Sequence, residues 1–403
     1  MSSDKRFHGA VVGIAGKDGR RGVVLSDARN VCRKMVKGQW WKTAFPVVGS
    51  GCHVHCQVLF SEEMNKSIRT CLWMCLCLAL CIPVGCQKQD GGRLIMVPEE
   101  RDGSISLEDI GLTMDVVPLQ SDPAVPVAEV TDICVSAGNL YVLDAMGTLS
   151  AFRLEDGRLL HRQANVGHGH GEYVNATAVC ADGDSVYVLD FQGMKVLVYN
   201  DALVFSRQFP IDFPAMDFTA VGQGFLFYNM NADGNMGQIV HTTKSGSRVA
   251  DFLSPEYTVD MMMTQHVFSE SSDGVFISLP MSKQIYRWTG TEPVSDYTVH
   301  FGHADPKQKS SSDILEKSTE TVIYSIVFHD AVMTFYLQER RVLCNHFNQK
   351  SNESLSGRVD TSSPYPFMFL LLAQHDNHLY TVVNPADVGA SDNGDALVLL
   401  VFS

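Results

Sequence analysis

Two short segments of the chain place histidines directly beside glycines. Residues 166–173 read VGHGHGEY, and residues 299–306 read VHFGHADP. Neutral imidazole is a common ligand of Zn²⁺, and a nearby carboxylate can act as a base on a metal-bound water. A second interpretation is a structural linker, in which the glycines let the chain turn. The candidate ligands of a divalent metal, zinc or calcium, are His168, His170, Glu172, His300 and His303.

The elements that must position these histidines follow from an internal repeat. Residues 139–144 (NLYVLD) and 185–190 (SVYVLD) are near copies. Weaker echoes follow at residues 224–229, 274–279, 331–336 and 378–383. Measured between the second residues of the six copies, the successive steps are 46, 39, 50, 57 and 47. Such a period, with strand-forming residues in each copy, predicts a propeller of four-stranded blades, and six copies predict six blades.

The ring should close through a strand that precedes the first repeat. The sixth unit offers strands at residues 367–372, 379–383 and 396–402 and then lacks a fourth. An unassigned strand, TMDVVPL, lies at residues 113–119. We expect it to complete the last blade, with Val116 and Val117 near Leu399, because pairing removes two exposed sheet edges. The predicted fold class is therefore all-β, a six-bladed β-propeller of four-stranded blades over residues 113–403, closed by an N-terminal strand.

In this ring His168 and His303 follow the fourth strands of blades one and four, so they are expected on opposite sides of the axis. The step into blade five is the longest, because residues 304–321 form a polar insertion. Ser312, Asp313 and Glu316 in it could begin one helical turn, although a solvated loop is the simpler interpretation.

The region before the propeller has the order of a secretory signal. A basic segment at residues 64–70 precedes an apolar run of fourteen, residues 71–84, and then Gly85-Cys86 and a polar stretch. Fourteen residues are too few for a membrane span of about 20, but the order fits a leader. A cysteine after a small residue resembles a lipoprotein signal, which makes Cys86 the expected lipidation site. Ordinary signal cleavage or a retained anchor are the alternatives, since Pro83 stands where leucine is commonest in such signals.

The predicted organisation therefore has four parts. They are residues 1–63, which we attribute to an upstream start rather than to the working protein, a signal at 64–85, a tether at 86–112, and the propeller. Of 31 basic and 45 acidic residues, 12 and 5 precede Gln87, which leaves 19 and 40 and a net charge of −21 beyond Cys86. A charge of this sign disfavours binding to nucleic acid.

Other residues that could carry chemistry have simpler interpretations. Asp144 and Asp190 end the second strands, where an aspartate usually caps a turn, although a ring of axial carboxylates could bind a cation. Cys134 and Cys180 occupy the same place in adjacent repeats, which favours two small buried side chains over a disulfide. The odd number of cysteines beyond Cys86 also disfavours a disulfide framework.

The chain resembles the six-bladed β-propeller lipoproteins of the NHL-like superfamily. The resemblance is carried by the VVPL strand at residues 116–119, the paired YVLD strands, the GHGHGEY segment at 167–173 and the final apolar strand at 396–402. His170 departs from the family, where proline is frequent. The resemblance implies a propeller in the bacterial cell envelope, as an outer-membrane lipoprotein, with no assigned activity. A distant six-bladed relative, the peptidyl-amidoglycolate lyase, uses axial histidines on zinc.

Two functions are therefore expected from the sequence. The first is a lipid-anchored, exported binding or scaffold module for an unknown peptide, glycan or envelope protein, with membrane contact through the lipid only. The alternative is a metal-dependent lyase or hydrolase centred on the axial histidines. No nucleophile with a recognisable turn around it is found in the sequence.

Overall fold

The computed structural model describes two compact units, residues 1–89 and 90–403. In the first, strands β1 (Val11–Ala15), β2 (Trp40–Gly49) and β3 (Cys52–Ser61) form an antiparallel sheet in the order β1-β3-β2. The structure describes residues 11–15, 40–49, 52–61, 92–99, 103–120, 127–230, 236–255, 257–259, 266–303, 310–362, 365, 373–385 and 397–403. The predicted leader and Cys86 lie outside these ranges.

The second unit is a six-bladed propeller of four-stranded antiparallel blades, which confirms the predicted fold class. Blade 1 contains β7 (Val130–Ser136), β8 (Asn139–Asp144), β9 (Leu149–Arg153) and β10 (Leu159–Gln163). Blade 2 contains β11 (Ala176–Asp182), β12 (Ser185–Asp190), β13 (Lys195–Asn200) and β14 (Phe205–Pro210). Blade 3 contains β15 (Asp217–Val221), β16 (Gly224–Tyr228), β17 (Ile239–Thr243) and β18 (Arg248–Phe252).

The other three blades follow the same order. Blade 4 contains β19 (Phe268–Ser271), β20 (Gly274–Ser278), β21 (Gln284–Trp288) and β22 (Pro293–His300). Blade 5 contains β23 (Glu320–Phe328), β24 (Ala331–Gln338), β25 (Arg341–Asn348) and β26 (Glu353–Asp360). Blade 6 contains β27 (Ala373–His375), β28 (His378–Val383), β29 (Val398–Phe402) and, from before blade 1, β6 (Met114–Pro118).

The middle strands explain why the blades stack. Strands β8, β12 and β16 are buried along almost their whole length, whereas in the outer strand β14 only Phe209 is buried. A sheet that is apolar on both faces must be covered on both faces. Among the described residues, the buried side chains form six clusters, one between each pair of neighbouring blades, including the pair formed by blades 6 and 1.

Strand β6 closes the ring as predicted. It pairs antiparallel with β29, and Val117 and Val116 lie opposite Leu399 and Leu400. The pairing extends beyond the strand at both ends, where the N–H of Thr113 donates to the carbonyl of Ser403 (2.9 Å) and that of Leu119 to the carbonyl of Leu397 (2.9 Å). The last blade is therefore built from both ends of the propeller sequence.

Part of the predicted tether is packed against the propeller. Strand β4 (Arg93–Met96) adds to blade 4 parallel to β22, and β5 (Ser104–Ser106) adds to blade 5 parallel to β26. Residues 92–99 and 103–119, which we call the belt, thus lie along the outer edges of blades 4, 5 and 6. The Arg93 guanidinium lies over the ring of Phe347 in blade 5, 5.1 Å from its centroid. The short parallel strands of the belt have no counterpart in the sequence repeat.

The belt also contributes to the core. Ile95 is buried between blades 4 and 5, and Ile105, Leu107 and Leu112 are buried between blades 5 and 6. A short 3₁₀ helix, Glu108–Ile110, connects β5 to β6. The belt therefore stabilises three blade edges by apolar burial as well as by strand pairing.

Asp144 and Asp190 cap turns, as the simpler interpretation predicted. The Asp144 carboxylate accepts from the N–H groups of Ala128 (3.1 Å), Met146 (3.0 Å) and Thr148 (2.7 Å). Asp190 accepts in the same way from the N–H groups of Val174 (3.1 Å), Asn175 (3.0 Å) and Gly193 (3.0 Å). Each aspartate fastens the turn between strands two and three to the chain that enters the same blade.

The strand predicted at residues 367–372 lies outside the described residues. The described part of the inner strand of blade 6 is Ala373–His375, and it leads into a turn in which Asp376 and Asn377 have φ of 44° and 62°. The polar insertion contains helix α1 (Ser311–Lys317), capped by Ser310, whose Oγ accepts from the N–H of Asp313 at 3.2 Å.

We predict that ring closure depends on one backbone donor of β6. The pairs at Thr113 and Leu119 are hydrogen-bonded, so by alternation the N–H of Val117 points towards β29 and that of Val116 points away. Val117→Pro should therefore lower the free energy of unfolding by about 1–3 kcal/mol, because the acceptor on β29 loses its partner.

The control is Val116→Pro. The N–H of residue 116 points away from β29, as the nitrogen of the native Pro118 does, so this substitution should lower the free energy of unfolding much less. Urea denaturation followed by tryptophan fluorescence measures both variants. Equal destabilisation by the two substitutions would contradict the proposed register.

Candidate functional site

The first histidine segment forms a closed loop between blades 1 and 2. The N–H of Tyr173 donates to the carbonyl of Asn165 (2.9 Å), and the N–H of Gly167 donates to the carbonyl of Tyr173 (3.0 Å). The Glu172 carboxylate accepts from the N–H of Gly169 (2.7 Å). It lies so close to Gly167 that a Cβ there would meet Oε2 at 2.2 Å. A side chain at residue 167 would therefore displace the Glu172 carboxylate, which holds its own loop together.

The histidines of this loop point in different directions. His168 is exposed. His170 is also exposed, and its ring meets the edge of Phe205 with 5.3 Å between centroids. No contact between these rings and a carboxylate of the other candidate segment is found among the described residues.

The second histidine segment makes local contacts as well. The ring nitrogen Nδ1 of His300 accepts from the N–H of Gly302 (2.9 Å). His303 Nε2 lies 2.7 Å from Oε2 of Glu320, a buried carboxylate at the start of blade 5. Among the residues that the structure describes, no group of three or more His, Cys, Asp or Glu side chains could hold a metal ion. The described geometry therefore favours the linker interpretation over a metal site at His168, His170, Glu172, His300 and His303.

The two ends of the ring differ in their connections. The first strand of each blade lies nearest the axis, and we call it the inner strand. Every inner strand is joined to the second strand by a two-residue turn, at residues 137–138, 183–184, 222–223, 272–273, 329–330 and 376–377. We call this the short-turn end. The connections between blades, and those between second and third strands, lie at the opposite end, which we call the long-loop end. The longest of them are residues 119–129, 164–175, 229–238, 253–267, 301–319, 361–372 and 384–397.

The inner strands surround an axial channel that opens at the short-turn end. A cavity of about 100 Å³ lies among the inner strands, beside Asp132, Asp217, His266 and Glu270. A second cavity of about 440 Å³ lies at the short-turn end and shares Glu270 and Gln374 with the first. The two are neighbours, and we call the larger one the mouth cavity. The predicted histidine loops lie at the other end.

Two buried aspartates join neighbouring blades at the axis. Asp132 in blade 1 accepts from the N–H of Val179 in blade 2 (2.7 Å), and Asp217 in blade 3 accepts from the N–H of Val267, which leads into blade 4 (2.8 Å). Each also accepts from the residue that follows it, at 2.8 Å. An inner strand has no sheet partner on its axial side, so these carboxylates satisfy donors that would otherwise be buried unpaired.

The sequence contained a signal for this pair that our reading missed. Asp132 and Asp217 each stand eight positions before the second residue of the repeat, Leu140 or Phe225. Asp132 lies within the first strand of blade 1, and Asp217 begins the first strand of blade 3. An aspartate at one repeat position in two alternate blades indicates a shared role at the axis.

The electrostatics of the axis follow from burial. Burial raises the pKa of Asp132 to about 7 and that of Asp217 to about 7. His266 Nδ1 lies 3.5 Å from Oδ1 of Asp132, and burial lowers the pKa of this histidine. Near neutral pH the axis therefore carries less negative charge than two ordinary aspartates would give.

Glu270 and Gln374 take part in hydrogen bonds that link four blades, 3 to 6, around the channel. The Thr219 hydroxyl donates to Glu270 Oε1 (2.7 Å), and the N–H of Glu270 donates to Gln374 Oε1 (2.8 Å). The Gln374 amide in turn donates to the carbonyl of Val327 (2.8 Å). Burial raises the pKa of Glu270. These bonds fix the carboxylate where the axial channel widens into the mouth cavity.

The cysteines of the propeller are free thiols, as predicted. Cys134 and Cys180 border the channel without forming a disulfide. Burial raises the pKa of both thiols, so they are poor nucleophiles. They serve as small apolar side chains between the inner strands.

Comparison with known proteins identifies the fold. The sequence matches the family model DUF4934, a domain of unknown function, over residues 95–396. A solved structure from Bacteroides fragilis, described as an exported protein, superposes with a TM-score of 0.61 at 16% identity and covers 77% of this chain and 99% of its own. A member of the DUF4221 family from Bacteroides vulgatus gives a TM-score of 0.49 at 9% identity, covering 72% and 98%. No curated protein matches the sequence.

We predict that Asp217 makes folding stability depend on pH. A carboxyl whose folded pKa is near 7, above an unfolded value of about 3.9, binds a proton more tightly when folded. The Asp217 carboxyl therefore lowers the free energy of unfolding progressively as pH rises from about 4 to about 7. His266, with its lowered pKa, acts in the opposite direction over part of this window.

The comparison of Asp217→Asn with the parent chain isolates the carboxyl, since asparagine keeps an acceptor oxygen for Val267. The stability of the variant relative to the parent should increase from pH 4.5 to 7.5, by at most about 1.4 kcal/mol per pH unit. Denaturant titrations at several pH values measure it, with the exposed Glu155→Gln as a flat control. Parallel curves for Asp217→Asn and the parent would refute the prediction.

Proposed function

We propose that this chain, which belongs to the DUF4934 family, is an exported, lipid-anchored β-propeller that binds a peptide, glycan or protein partner at its long-loop end. The observation that carries the proposal is the segregation of the connections. Those at the short-turn end span at most five residues, as at 154–158, whereas those at the long-loop end extend to residues 301–319. Long connections on a rigid scaffold are where binding residues concentrate.

Exposed apolar side chains support this end as the binding surface. Met146 and Met194 stand in turns between second and third strands, and their exposures are 72% and 46%. Val166, in the loop that carries His168 and His170, is 55% exposed. It lies beside Gly147, since a Cβ at that glycine would meet its Cγ2 at 3.0 Å. Exposed methionine and aliphatic groups next to imidazoles provide the mixture of apolar and polar contacts that protein interfaces use.

The direction of the belt fits an anchor on the other side. Strand β4 runs parallel to β22, so its first residue, Arg93, lies towards the short-turn end. Cys86 precedes Gly92 by six residues, which limits its reach to about 20 Å. A lipid at Cys86 would then hold the short-turn side towards a membrane and leave the long-loop end accessible. The NHL-like lipoprotein assignment stays a prediction of the sequence.

The lyase or hydrolase alternative lacks a supporting observation. It requires the candidate histidines of the two segments to share a metal, and each described one makes a local contact or is exposed. We therefore propose a binding module alone.

No described helix has the length and apolar character that a membrane crossing needs.

We predict that partner capture is lost when charge is placed at the long-loop end. Met146→Asp combined with Met194→Asp should reduce capture from bacterial envelope extracts at least tenfold, because a carboxylate cannot be buried in an apolar contact. The matched control is Val204→Asp, 61% exposed in a short connection at the opposite end. Cross-linking and quantitative mass spectrometry measure capture, and thermal unfolding confirms the folded state. Loss of the partner in the control, or its retention in the double variant, would count against this surface.

We also predict that Cys86 carries the lipid. Cells that express the full chain and are labelled with an alkyne fatty acid should incorporate label, and Cys86→Ser should abolish it and release the protein from the membrane fraction. Cys81→Ser changes a cysteine of the same leader and should leave labelling intact. Label retained by Cys86→Ser would rule out this anchor without affecting the binding proposal.

A further inference from the structure

We propose that the mouth cavity binds a small organic ammonium compound. The cavity is formed by the inner turns of blades 4, 5 and 6, at the end of the ring opposite the proposed partner surface. Its volume of about 440 Å³ falls in the range of pockets that enclose small ligands. It is wider than the rest of the axial channel, which holds only about 100 Å³.

The charge of the lining favours a cation. Glu270 and Asp376 are the carboxyl groups on its wall, and no lysine or arginine lines either this cavity or the described axial channel behind it. Three histidines, His329, His375 and His378, share the wall, and His375 Nε2 lies 3.3 Å from Oδ2 of Asp376. Further inside lie Asp132 and Asp217. Among the described lining residues, these carboxyl groups are opposed by no lysine or arginine, which favours a ligand with a positive group.

The hydrogen-bonding groups of the wall suit an ammonium in particular. Ammonium donates three hydrogen bonds and accepts none. Glu270 is held in place by the hydroxyl of Thr219 on Oε1 and by its own N–H on Gln374, and a carboxylate has further acceptor positions. The hydroxyls of Ser271 and Ser272 stand on the same turn. The site thus offers a fixed carboxylate and neutral acceptors.

The position of Glu270 supports this preference. It lies on the cavity wall with part of its surface open to the cavity, and desolvation by the surrounding strands raises its pKa. A bound ammonium would favour the charged form of this carboxylate by pairing with it. The rim is rigid enough for such a site, because the turns that form it have two residues each and close ladders on both sides.

The test uses three probes of equal length and different charge. Isothermal titration calorimetry of the full chain at pH 7.5 and 150 mM salt is performed with 1,5-diaminopentane, 1,5-pentanediol and glutarate. The salt screens general attraction to the acidic surface. We expect saturable one-to-one binding of the diamine and no binding of the diol or the dianion. Absence of diamine binding, or equal binding of the diol, would overturn the proposal.

Three variants locate the site. Glu270→Gln keeps an acceptor for Thr219 and should weaken diamine binding at least tenfold. Ser272→Arg places a cation at the exposed rim and should weaken diamine binding to a similar extent. This second variant keeps the test decisive if Glu270→Gln folds poorly. Glu155→Gln removes one exposed acid on the outer turn of blade 1 and should change nothing. Equal weakening by Glu155→Gln, or none by Glu270→Gln and Ser272→Arg, would show that the diamine binds elsewhere and refute the site.

Discussion

The whole architecture depends on the burial of both faces of each blade. The middle strands carry apolar side chains on both sides, as in β16, where all five residues are buried. Such a sheet is stable only between two similar sheets, so the blades must continue until the last one meets the first. The cluster that joins Ile133 and Leu140 of blade 1 to Tyr380 and Leu399 of blade 6 is therefore as necessary as any other.

Ring closure creates a second constraint at the axis. Each inner strand has a sheet neighbour on one side only, and six such edges converge where water is restricted. The chain satisfies donors there with side chains from the adjacent blade, as Asp132 and Asp217 do for Val179 and Val267. These carboxylates are buried at an electrostatic cost that shows in their raised pKa values. Polar chemistry at the centre is thus a consequence of the fold, and a ligand can use it only where the channel widens.

The repeat made the architecture predictable because blade packing is a local, periodic property. The copies at 139–144 and 185–190 each coincide with a second strand, and β6 pairs with β29 in the expected place. The axial site needed a different signal, because the apolar pattern says nothing about it. Asp132 and Asp217 share one repeat position, and that position indicates a common role only once the repeats are aligned as blades around one axis. The belt escaped prediction because β4 and β5 are short parallel additions whose partners, β22 and β26, lie far along the chain.

The two ends of the ring are suited to different kinds of ligand for physical reasons. A two-residue turn is fixed by the ladders on both sides, so the groups at the short-turn end are held in one arrangement before anything binds. Preorganisation of this kind favours a small ligand, whose few contacts cannot compensate for much ordering. Long connections change more easily in length and sequence without disturbing the blades, and they present a larger area. A macromolecular partner needs area more than it needs fixed geometry. The strand order of a propeller therefore allows one closed ring to carry an adaptable surface at one end and a preorganised cavity at the other, with the same inner strands supporting both.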